Sequence, residues 1–255
     1  MLLHNLFDIR GKKAIVTGGT KGLGRSMAEA LLESGCEVVV IGSSDGVHQT
    51  AEEYRSQGYP CQSVQADLRI REECYRSFEE SLKLLNGELD ILITAAGIQR
   101  RHLADEFPIE EWDEVININL HSVFIFNQLG VRIMLKKNYG KIINVTSMIS
   151  WFGGQTVCAY AAAKGGVTQM TKAFANDLMG RGICVNAIAP GYMATDLNTA
   201  LLADKERSAS ILSRIPAGRW GDGNDIKGAT IFLASAASDY LSGANINVDG
   251  GYLVK

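Results

Sequence analysis

Short apolar runs, many of them β-branched, recur along the chain and alternate with longer stretches whose apolar residues follow helical spacing. Runs that are apolar on both faces are typical of strands covered by helices on either side. The runs predict strands at Lys13–Thr17, Val38–Ile41, Ser63–Gln65, Ile91–Thr94, Ile142–Val145, Val185–Ile188 and Ile246–Val248. The periodic stretches predict helices at Ser26–Ser34, Arg71–Leu85, Glu110–Leu135, Tyr160–Met179 and Asp225–Ala236.

Regular alternation of strand and helix indicates repeated βαβ units and a parallel sheet. We therefore predict an α/β protein with a single-domain, Rossmann-type doubly wound fold, whose central seven-stranded parallel sheet is flanked by helices on both faces. The chain has 255 residues, only four prolines and no low-complexity linker, so one domain over 1–255 is expected. The mixed, partly helical segment Ala194–Gly218 interrupts the alternation and predicts a lid around 192–218.

Charge and composition exclude several classes of protein. The formal net charge is −3 and the basic residues are scattered, which argues against a nucleic-acid-binding surface. No apolar stretch approaches the roughly 18 residues of a membrane span, and the N-terminal residues lack the pattern of a secretion signal. The five widely spaced cysteines fit reduced thiols in a cytoplasmic protein, and the four histidines show no metal-ligand spacing.

A glycine-rich turn follows the first predicted strand. Gly18, Gly22 and Gly24 lie between this strand and a helix, where glycines permit a tight turn and a close approach of a pyrophosphate to the helix N-terminus. Glycines also end strands for purely conformational reasons, so the glycines alone are weak evidence. Their place in the first βαβ unit favours a dinucleotide site.

The end of the second strand bears on the choice between NAD and NADP. An acidic residue there would hydrogen-bond the adenine ribose and favour NAD, but the sequence has Ser43 and Ser44 instead. With Lys21 nearby, a 2′-phosphate is expected to be tolerated and NADP to be slightly favoured. The alternative is that both serines are ordinary turn residues and Lys21 is solvated.

A tyrosine and a lysine four residues apart form the candidate acid–base pair. Tyr160 and Lys164 would share one face of a helix, where the ammonium can stabilise a phenolate. Ser147 follows a strand, so its hydroxyl is expected at the carboxyl edge of the sheet. Taken alone, this spacing is usually a coincidence on a helix surface. Gly165 and Gly166 continue the same helix at a cost in stability, which close approach of another group would explain.

These motifs occur in the order found in the short-chain dehydrogenase/reductase family, and the chain resembles that family over essentially its whole length. The shared motifs are Thr17 to Gly24, Asp67-Leu68, Ala96-Gly97, Asn119, Ser147, Tyr160-x3-Lys164 and Pro190-Gly191 leading to Thr195. One departure is Thr94-Ala95-Ala96-Gly97, where the family usually has Asn-Asn-Ala-Gly. It places in doubt the hydrogen bonds that those asparagines would make.

The resemblance implies a role for each motif residue. Tyr160 would be the general acid/base, Ser147 would orient the substrate oxygen, and Asn119 would hold a proton-relay water. Lys164 would lower the tyrosine pKa and bind the nicotinamide ribose. The implied cofactor-binding residues are Gly18, Thr20, Lys21, Gly22, Leu23, Gly24, Ser43, Ser44, Asp67 at the adenine, Leu68, Ala96, Gly97, Tyr160, Lys164, Pro190, Gly191 and Thr195 at the nicotinamide side.

Within the family, the segments around Gly97–His102 and Arg214–Gly221 resemble bacterial sugar-acid dehydrogenases. Arg101, with Arg100 assisting, would then bind the substrate carboxylate beside Ser147 and Tyr160. A solvated basic turn is the alternative for both arginines. Two activities fit this resemblance. A 2-deoxy-D-gluconate 3-dehydrogenase, which is also a keto-deoxy-gluconate dehydrogenase, is favoured narrowly. The alternative is a gluconate 5-dehydrogenase, which reduces 5-keto-gluconate.

Two other functions stay open from sequence, namely a dinucleotide-sensing regulator without catalysis and a reductase of carrier-bound acyl chains. The complete set of Ser147, Tyr160, Lys164 and Asn119 argues against the regulator, which needs no acid–base residues. The resemblance also implies a homotetramer, because the family usually packs the long helices, here Ser122–Leu135 and Tyr160–Met179, against symmetry-related copies.

Overall fold

All seven predicted strands are present and form one parallel sheet. The computed structural model describes residues 3–255 apart from the side chains of residues 3, 4, 197 and 200, so residues 1 and 2 of the predicted domain lie outside it. The strands are β1 (Lys13–Thr17), β2 (Glu37–Gly42), β3 (Cys61–Gln65), β4 (Ile91–Thr94), β5 (Gly140–Val145), β6 (Ile183–Pro190) and β7 (Asn245–Val248). Their spatial order is β3-β2-β1-β4-β5-β6-β7.

The helices lie between the strands in chain order. They are α1 (Leu3–Leu6), α2 (Gly22–Glu33), α3 (Gly46–Ser56), α4 (Arg71–Leu84), α5 (Ile109–Ile116), α6 (Ser122–Met134), α7 (Ile149–Phe152), α8 (Cys158–Leu178), α9 (Thr199–Ala203), α10 (Lys205–Leu212) and α11 (Gly223–Ala234). In the described part of the chain no helix is both long and apolar enough to cross a membrane.

Alternation along each strand divides the core into two layers. In β1, Ala14 and Val16 pack against residues of α2, α3 and α11, whereas Ile15 packs on the opposite face with α4, α6 and α8. Successive strand side chains point to opposite faces, so a strand that is apolar throughout requires helices on both sides. The predicted fold class is therefore confirmed.

The edge strands differ from the central ones. Every residue of β4, β5 and β6 is buried, whereas β3 mixes buried with exposed positions and every residue of β7 is partly or fully exposed. An edge strand has a neighbour on one side only, so part of its surface faces solvent. This mixed pattern explains why the apolar run predicted β3 two residues too short.

Two helical regions differ from the sequence prediction. The helix α3 was not predicted, although Val47, Ala51 and Tyr54 have helical spacing and are buried. The single helix predicted over Glu110–Leu135 is interrupted by a π-helical turn at Asn117–His121. Such a turn is often associated with a functional site, because it rotates the following side chains out of the regular α-helical register.

The segment between β6 and β7 is helical, as predicted. It contains a short 3₁₀ turn at Asp196–Asn198 followed by α9 and α10. Leu201 and Ile211 anchor these helices on Met148, Ile215 and Tyr252. The segment thus lies over the carboxyl edge of the sheet on a small apolar contact.

The strand order reverses beside β1, where α2 begins. β1 continues through α2 to β2 on one side, and β4 pairs with β1 on the other. In open α/β sheets the helices on either side diverge at this point and leave a crevice at the carboxyl ends of the strands. The candidate site lies in this crevice.

Candidate active site

A cavity of about 520 Å³ opens at the carboxyl edge of the sheet. This volume falls in the range of small-molecule and cofactor sites. The cavity brings together loops that follow β1, β2, β3, β4, β5 and β6. Of the predicted cofactor and catalytic residues, all but Ser44 and Asn119 line it: Gly18, Thr20, Lys21, Gly22, Leu23, Gly24, Ser43, Asp67, Leu68, Ala96, Gly97, Ser147, Tyr160, Lys164, Pro190, Gly191 and Thr195.

The glycines of the first turn are required by close backbone approach. Gly18 has φ +68°, and a Cβ there would lie 2.7 Å from the Cα of Ala96. A Cβ on Gly24 would collide with the carbonyl of Gly18. Gly22 also has a positive φ of +55°, but a Cβ there would meet nothing closer than Thr195, at 3.8 Å. The turn therefore packs tightly on the protein side and leaves space on the cavity side.

The N-terminus of α2 provides free backbone donors in this space. Its N-cap residue, Lys21, has an extended backbone and makes no side-chain capping hydrogen bond. The first N–H groups of a helix have no intrahelical acceptor, and the helix dipole favours an anion beside them. Uncapped donors, an open glycine and a surrounding cavity fit the pyrophosphate of a dinucleotide.

The end of β2 offers hydroxyl groups and no acidic residue to a ligand. Ser43 lines the cavity and is exposed, whereas Ser44, predicted to bind cofactor, lies outside the described lining. Lys21 is exposed and enters no ion pair among the described residues. This arrangement leaves a cation and a hydroxyl available where an adenine ribose would lie.

Asp67 follows β3, as predicted, but its carboxylate is already paired. Arg69 donates three side-chain hydrogen bonds to Asp67, of which the shortest is 2.6 Å, and a backbone hydrogen bond of 3.0 Å. These bonds hold the pKa of the Asp67 carboxyl below its ordinary value. A contact of Asp67 with an adenine would therefore have to share the carboxylate with Arg69.

The candidate acid–base pair lies on the first turns of α8. Tyr160 and Lys164 are buried on the face of the helix turned towards the cavity. The Lys164 Nζ donates to the carbonyl of Val145 over 2.7 Å and lies 5.6 Å from the centre of the Tyr160 ring. Ser147 reaches the same place from β5, and its Oγ accepts from the backbone N–H of Ile149 over 3.3 Å.

Burial dominates the titration of both groups. It raises the pKa of Tyr160 to about 12, although hydrogen bonding with Ser147 lowers it. Burial lowers the pKa of Lys164 to about 8. Burial is the largest cause of the Tyr160 shift and favours the neutral phenol, and Ser147 is the one side chain that opposes it. The role of Lys164 in lowering the tyrosine pKa therefore stays a prediction.

Asn119 has a structural partner that the sequence did not reveal. Its Oδ1 accepts from the N–H of Ile98 over 2.9 Å, and its Nδ2 donates to the Ile98 carbonyl over 2.8 Å. The side chain is fully buried within the π-helical turn. Asn119 therefore fixes the loop after β4 beside Lys164, and its role in holding a relay water stays a prediction.

Thr94, which stands where the family usually has an asparagine, takes part in a buried hydrogen-bond network. The Thr94 hydroxyl donates to Asn144 Oδ1 over 2.7 Å, and the Asn144 amide donates to the Thr171 hydroxyl over 3.0 Å. All three side chains are buried. The network links β4, β5 and α8. The Thr94 hydroxyl is therefore satisfied although threonine replaces the asparagine that is usual in the family.

The two arginines that follow β4, Arg100 and Arg101, have different partners in the structure. Arg100 Nη2 lies 2.8 Å from a carboxylate oxygen of Glu114, and its Nε lies 3.7 Å from Glu111. Arg101 is partly buried, lines the cavity and donates over 3.0 Å to the side-chain oxygen of Gln99. Arg100 is thus neutralised by glutamates, whereas Arg101 has no carboxylate partner among the described residues.

Sequence reasoning missed several lining residues. Arg207 enters from α10, and Gln155, Tyr192 and Asn198 add polar groups to the same cavity. These residues lie in segments of irregular pattern, far from the ordered motifs. A basic residue in the first turn of α10 was a signal that could have been used, because helix N-termini favour acidic residues.

Comparison with known proteins identifies the family. Residues 12–206 match the family model described as short chain dehydrogenase. The chain is 43% identical over 251 residues to 2-dehydro-3-deoxy-D-gluconate 5-dehydrogenase of Bacillus subtilis, covering 98% of each protein.

Solved structures agree in fold over nearly the whole chain. A candidate 2-deoxy-D-gluconate 3-dehydrogenase from Agrobacterium tumefaciens, with bound NADP, has a TM-score of 0.91 and 42% identity and covers 98% of this chain and 100% of that one. A candidate gluconate 5-dehydrogenase from Beutenbergia cavernae, with NADP at low occupancy, has a TM-score of 0.95 and 40% identity at the same coverage. Together with the cavity geometry, these similarities show that the chain belongs to the short-chain dehydrogenase/reductase family and is an NAD(P)-dependent oxidoreductase.

Proposed function

We propose that the protein interconverts a secondary hydroxyl and a ketone on a six-carbon sugar acid. The observation that carries this proposal is Arg101, a partly buried cation that lines the same cavity as Tyr160 and has no carboxylate partner in the described part of the chain. A cation so placed favours a substrate with a carboxylate. Relatives named for gluconate-type acids over nearly their full length support the same substrate class.

The preferred substrate is 2-dehydro-3-deoxy-D-gluconate, oxidised at C5. The sequence favours action at C3 of 2-deoxy-D-gluconate, but several relatives at 40% to 43% identity are named for the C5 reaction of the keto-deoxy acid. A 5-keto-D-gluconate 5-reductase of Escherichia coli is 36% identical. Action on gluconate at C5 is therefore the alternative, and oxidation of 2-deoxy-D-gluconate at C3 is retained as a test case.

The chain's own residues supply proton transfer and orientation. In oxidation, the Tyr160 phenolate oxygen takes the proton of the substrate hydroxyl, and in reduction the phenol returns it to the developing alkoxide. Ser147 donates a hydrogen bond to that same substrate oxygen, while the Lys164 ammonium stabilises the phenolate. A bound nicotinamide dinucleotide supplies the hydride acceptor or donor. Per turnover, one C–H and one O–H bond of the alcohol are replaced by a carbonyl.

The cofactor would be held by the residues that surround the glycine turn. The uncapped N-terminus of α2 would bind the pyrophosphate, and Lys164 would bind the nicotinamide ribose. Thr195 faces Gly22 across the cavity and would lie at the nicotinamide side. Ser43 and Lys21 would border the adenine ribose, which suits NADP at least as well as NAD.

A spectrophotometric panel tests the substrate and the cofactor together. It crosses NAD and NADP with 2-dehydro-3-deoxy-D-gluconate, gluconate and 2-deoxy-D-gluconate, and with the keto products for the reverse reaction. We expect the highest kcat/KM with the keto-deoxy acid, and product analysis should place the new carbonyl at C5. Turnover confined to neutral alcohols, or to carrier-bound acyl chains, would refute the assignment.

Reversing the charge of Lys21 should alter cofactor choice. In Lys21→Glu we expect the Kd for NADP to rise roughly tenfold, about 1.4 kcal/mol, with little change for NAD, because only NADP presents a 2′-phosphate. Lys83→Glu on α4 makes the same change of charge away from the cavity and serves as the control. A parent protein in which the 2′-phosphate weakens binding tenfold or more contradicts the predicted tolerance of NADP.

Removing Arg101 should discriminate between charged and neutral substrates. A hydrogen bond to a charged group is worth about 1.5–3 kcal/mol, so Arg101→Ala should raise KM for the sugar acid by about tenfold to a hundredfold. The KM for a neutral keto-sugar should change little. Arg100→Ala is the matched control, because Arg100 is already paired with Glu114. Equal effects of Arg101→Ala on both substrates would remove this assignment.

We also propose that the protein is a homotetramer. Phe124 on α6 is 44% exposed and packs edge-on against Phe174 of α8, with ring centres 6.1 Å apart. On α8, Gly165 has nothing within 4 Å of its Cβ position, whereas Gly166 packs on Leu120. An exposed aromatic ring on α6 and an open glycine on α8 each suit packing against another copy. Light scattering should give four times the chain mass, and a monodisperse monomer would contradict the proposal.

A further inference from the structure

Arg207 is a second cation in the cavity, and it comes from the segment above the sheet. It lies in the first turn of α10, its residue is exposed, and it lines the same cavity as Arg101. Its guanidinium enters no side-chain hydrogen bond or ion pair among the described residues. An exposed cation in the lining, with no such partner in the described part of the chain, is available to a ligand.

Arg207 lies at the positive end of the α10 dipole. Asp204 caps α10, and its side chain accepts from the backbone N–H of Arg207 over 3.0 Å, which fixes the start of the helix. The first turn carries two basic residues, Lys205 and Arg207, and one acidic residue, Glu206. Helix N-termini favour anions by about 0.3–1 kcal/mol, so an anion bound at Arg207 would also be favoured by the helix dipole.

Arg101 approaches the same space from the loop after β4. Burial lowers the pKa of the Arg101 guanidinium, and the charge of Arg207 lowers it further, which places the two cations within electrostatic reach. Gln99 provides the only side-chain hydrogen bond of Arg101 among the described residues, and Gln99 is uncharged. Two guanidinium groups thus face one cavity and repel each other until an anion lies between them.

The helix that carries Arg207 is weakly attached to the rest of the protein. Ile211 is the only buried residue in the described part of α10, and Leu201 is the anchor of α9. Segments with few buried apolar contacts open at a low free-energy cost. The position of α10 can therefore respond to an electrostatic change at Arg207.

We infer that Arg101 and Arg207 form a two-sided clamp for the substrate carboxylate and that carboxylate binding draws α10 onto the cavity. The inference rests on the proposed function, because it takes a sugar acid as the ligand. It adds the residue that connects the substrate to the lid. The carboxylate replaces repulsion between two cations by two charge-assisted hydrogen bonds, so the lid closes on acids and stays open with neutral analogues.

Ligand binding to the complex with NADPH tests the clamp without turnover. The probes are D-gluconate and D-gluconamide, which differ only in the charge of the terminal group. Titration calorimetry gives the ratio of their Kd values, and hydrogen exchange reports on the α10 amides. We expect gluconate to bind at least tenfold more tightly than gluconamide and to slow exchange in α10, which gluconamide should not do.

Variants then assign the effect to Arg207. Arg207→Ala should lower the acid-to-amide preference about tenfold, and Arg207→Lys should restore part of it because one charge returns. Lys205→Ala, two residues away on the same helix and outside the lining, is the matched control and should keep the full preference. In a double-mutant cycle, Arg101→Ala and Arg207→Ala should be non-additive, because both contact one group.

Several results would overturn the clamp, and they are distinct from failure of the proposed function. The clamp is wrong if Arg207→Ala weakens acid and amide equally, if the amide slows exchange in α10 as much as the acid, or if the parent does not bind the acid. Sugar-acid turnover with an unchanged preference in Arg207→Ala would leave the function standing without the clamp. A preference that depends on Arg207 in a protein that oxidises no sugar acid would refute the function and keep the clamp.

Discussion

Replacement of Tyr160 by phenylalanine is expected to lower kcat by about a thousandfold in both directions. A positioned general acid/base contributes roughly 10² to 10⁴ to the rate, and no other hydroxyl in the cavity has both a buried lysine and Ser147 beside it. The substitution removes one oxygen atom and leaves the ring packing in place. The Kd for NADP and the melting temperature should therefore change little, as measured by fluorescence titration and calorimetry.

Tyr75→Phe makes the same chemical change on the partly exposed face of α4 and provides the control. It should keep parental kcat and KM. Retention of a tenth or more of parental kcat by Tyr160→Phe would contradict the assignment of the acid–base group. A loss of activity accompanied by a large drop in melting temperature would point to misfolding, and Ser147→Ala then provides an independent test of the same site.

Replacement of Lys164 by methionine is expected to separate activity from stability. The ammonium that favours the phenolate is lost, so kcat/KM should fall by at least about a hundredfold. The free energy of unfolding, however, should rise by about 1–2 kcal/mol. A lowering of the lysine pKa from 10.5 to about 8 represents roughly 3 kcal/mol of unfavourable burial at neutral pH, and the single hydrogen bond to Val145 returns only about 1 kcal/mol.

A second buried lysine, Lys141, gives a matched control whose replacement should change the free energy of unfolding in the opposite direction. Lys141 lies at the amino end of β5, where its Nζ contacts Asp239 at 2.7 Å, Ser238 at 3.2 Å and Cys184 at 3.5 Å. Lys141→Met loses this set of partners and should lower the free energy of unfolding by about 1–3 kcal/mol, with kcat of the folded enzyme unchanged. Destabilisation of Lys164→Met to the same extent would show that Lys164 is a structural residue.

The pH dependence follows from the direction of the Lys164 shift. Between pH 8 and 10.5 the folded parent loses the Lys164 proton while the unfolded chain keeps it, so folding stability gains with rising pH in this window. Below pH 8 the cost of burying the charge is fully present. The stability difference between Lys164→Met and the parent should thus be largest near neutral pH and should shrink as pH approaches 10, as measured by denaturant unfolding.

Sequence pattern predicted the sheet because its central strands are apolar throughout and each is followed by a clear turn. It failed where the physical signal is weaker. The helix α3 is 11 residues long, and only three apolar residues, Val47, Ala51 and Tyr54, mark its buried face. The π-helical turn at Asn117–His121 depends on the two-sided hydrogen bonding of Asn119 to Ile98, a tertiary contact with no local sequence signal.

In the candidate site, too, residues with a local sequence signal were predicted, and residues that depend on tertiary contacts were missed. Residues in ordered motifs, such as Tyr160 and the glycine turn, were located because strand ends determine where they lie. The resemblance favours Arg101, with Arg100 assisting, but the charge partners of the two arginines have no local sequence signal. They differ because Glu114 on α5 pairs with Arg100 and Arg69 and not with Arg101. Arg207 belongs to a segment whose path over the sheet depends on a small apolar contact, so its approach to Arg101 was visible only in three dimensions.

The ion pairs of Arg100 have a consequence for the charge of the whole recess. Glu111 and Glu114 offset the charge of Arg100 from outside the described lining, so the cations that remain there, Lys21, Arg101, Lys164 and Arg207, face only the carboxylates of Asp67 and Asp196. An acidic molecule of net charge −3 therefore carries a positive interior. We therefore expect anions to enter this recess faster than neutral molecules of the same size, and dissolved salt to reduce the difference by screening.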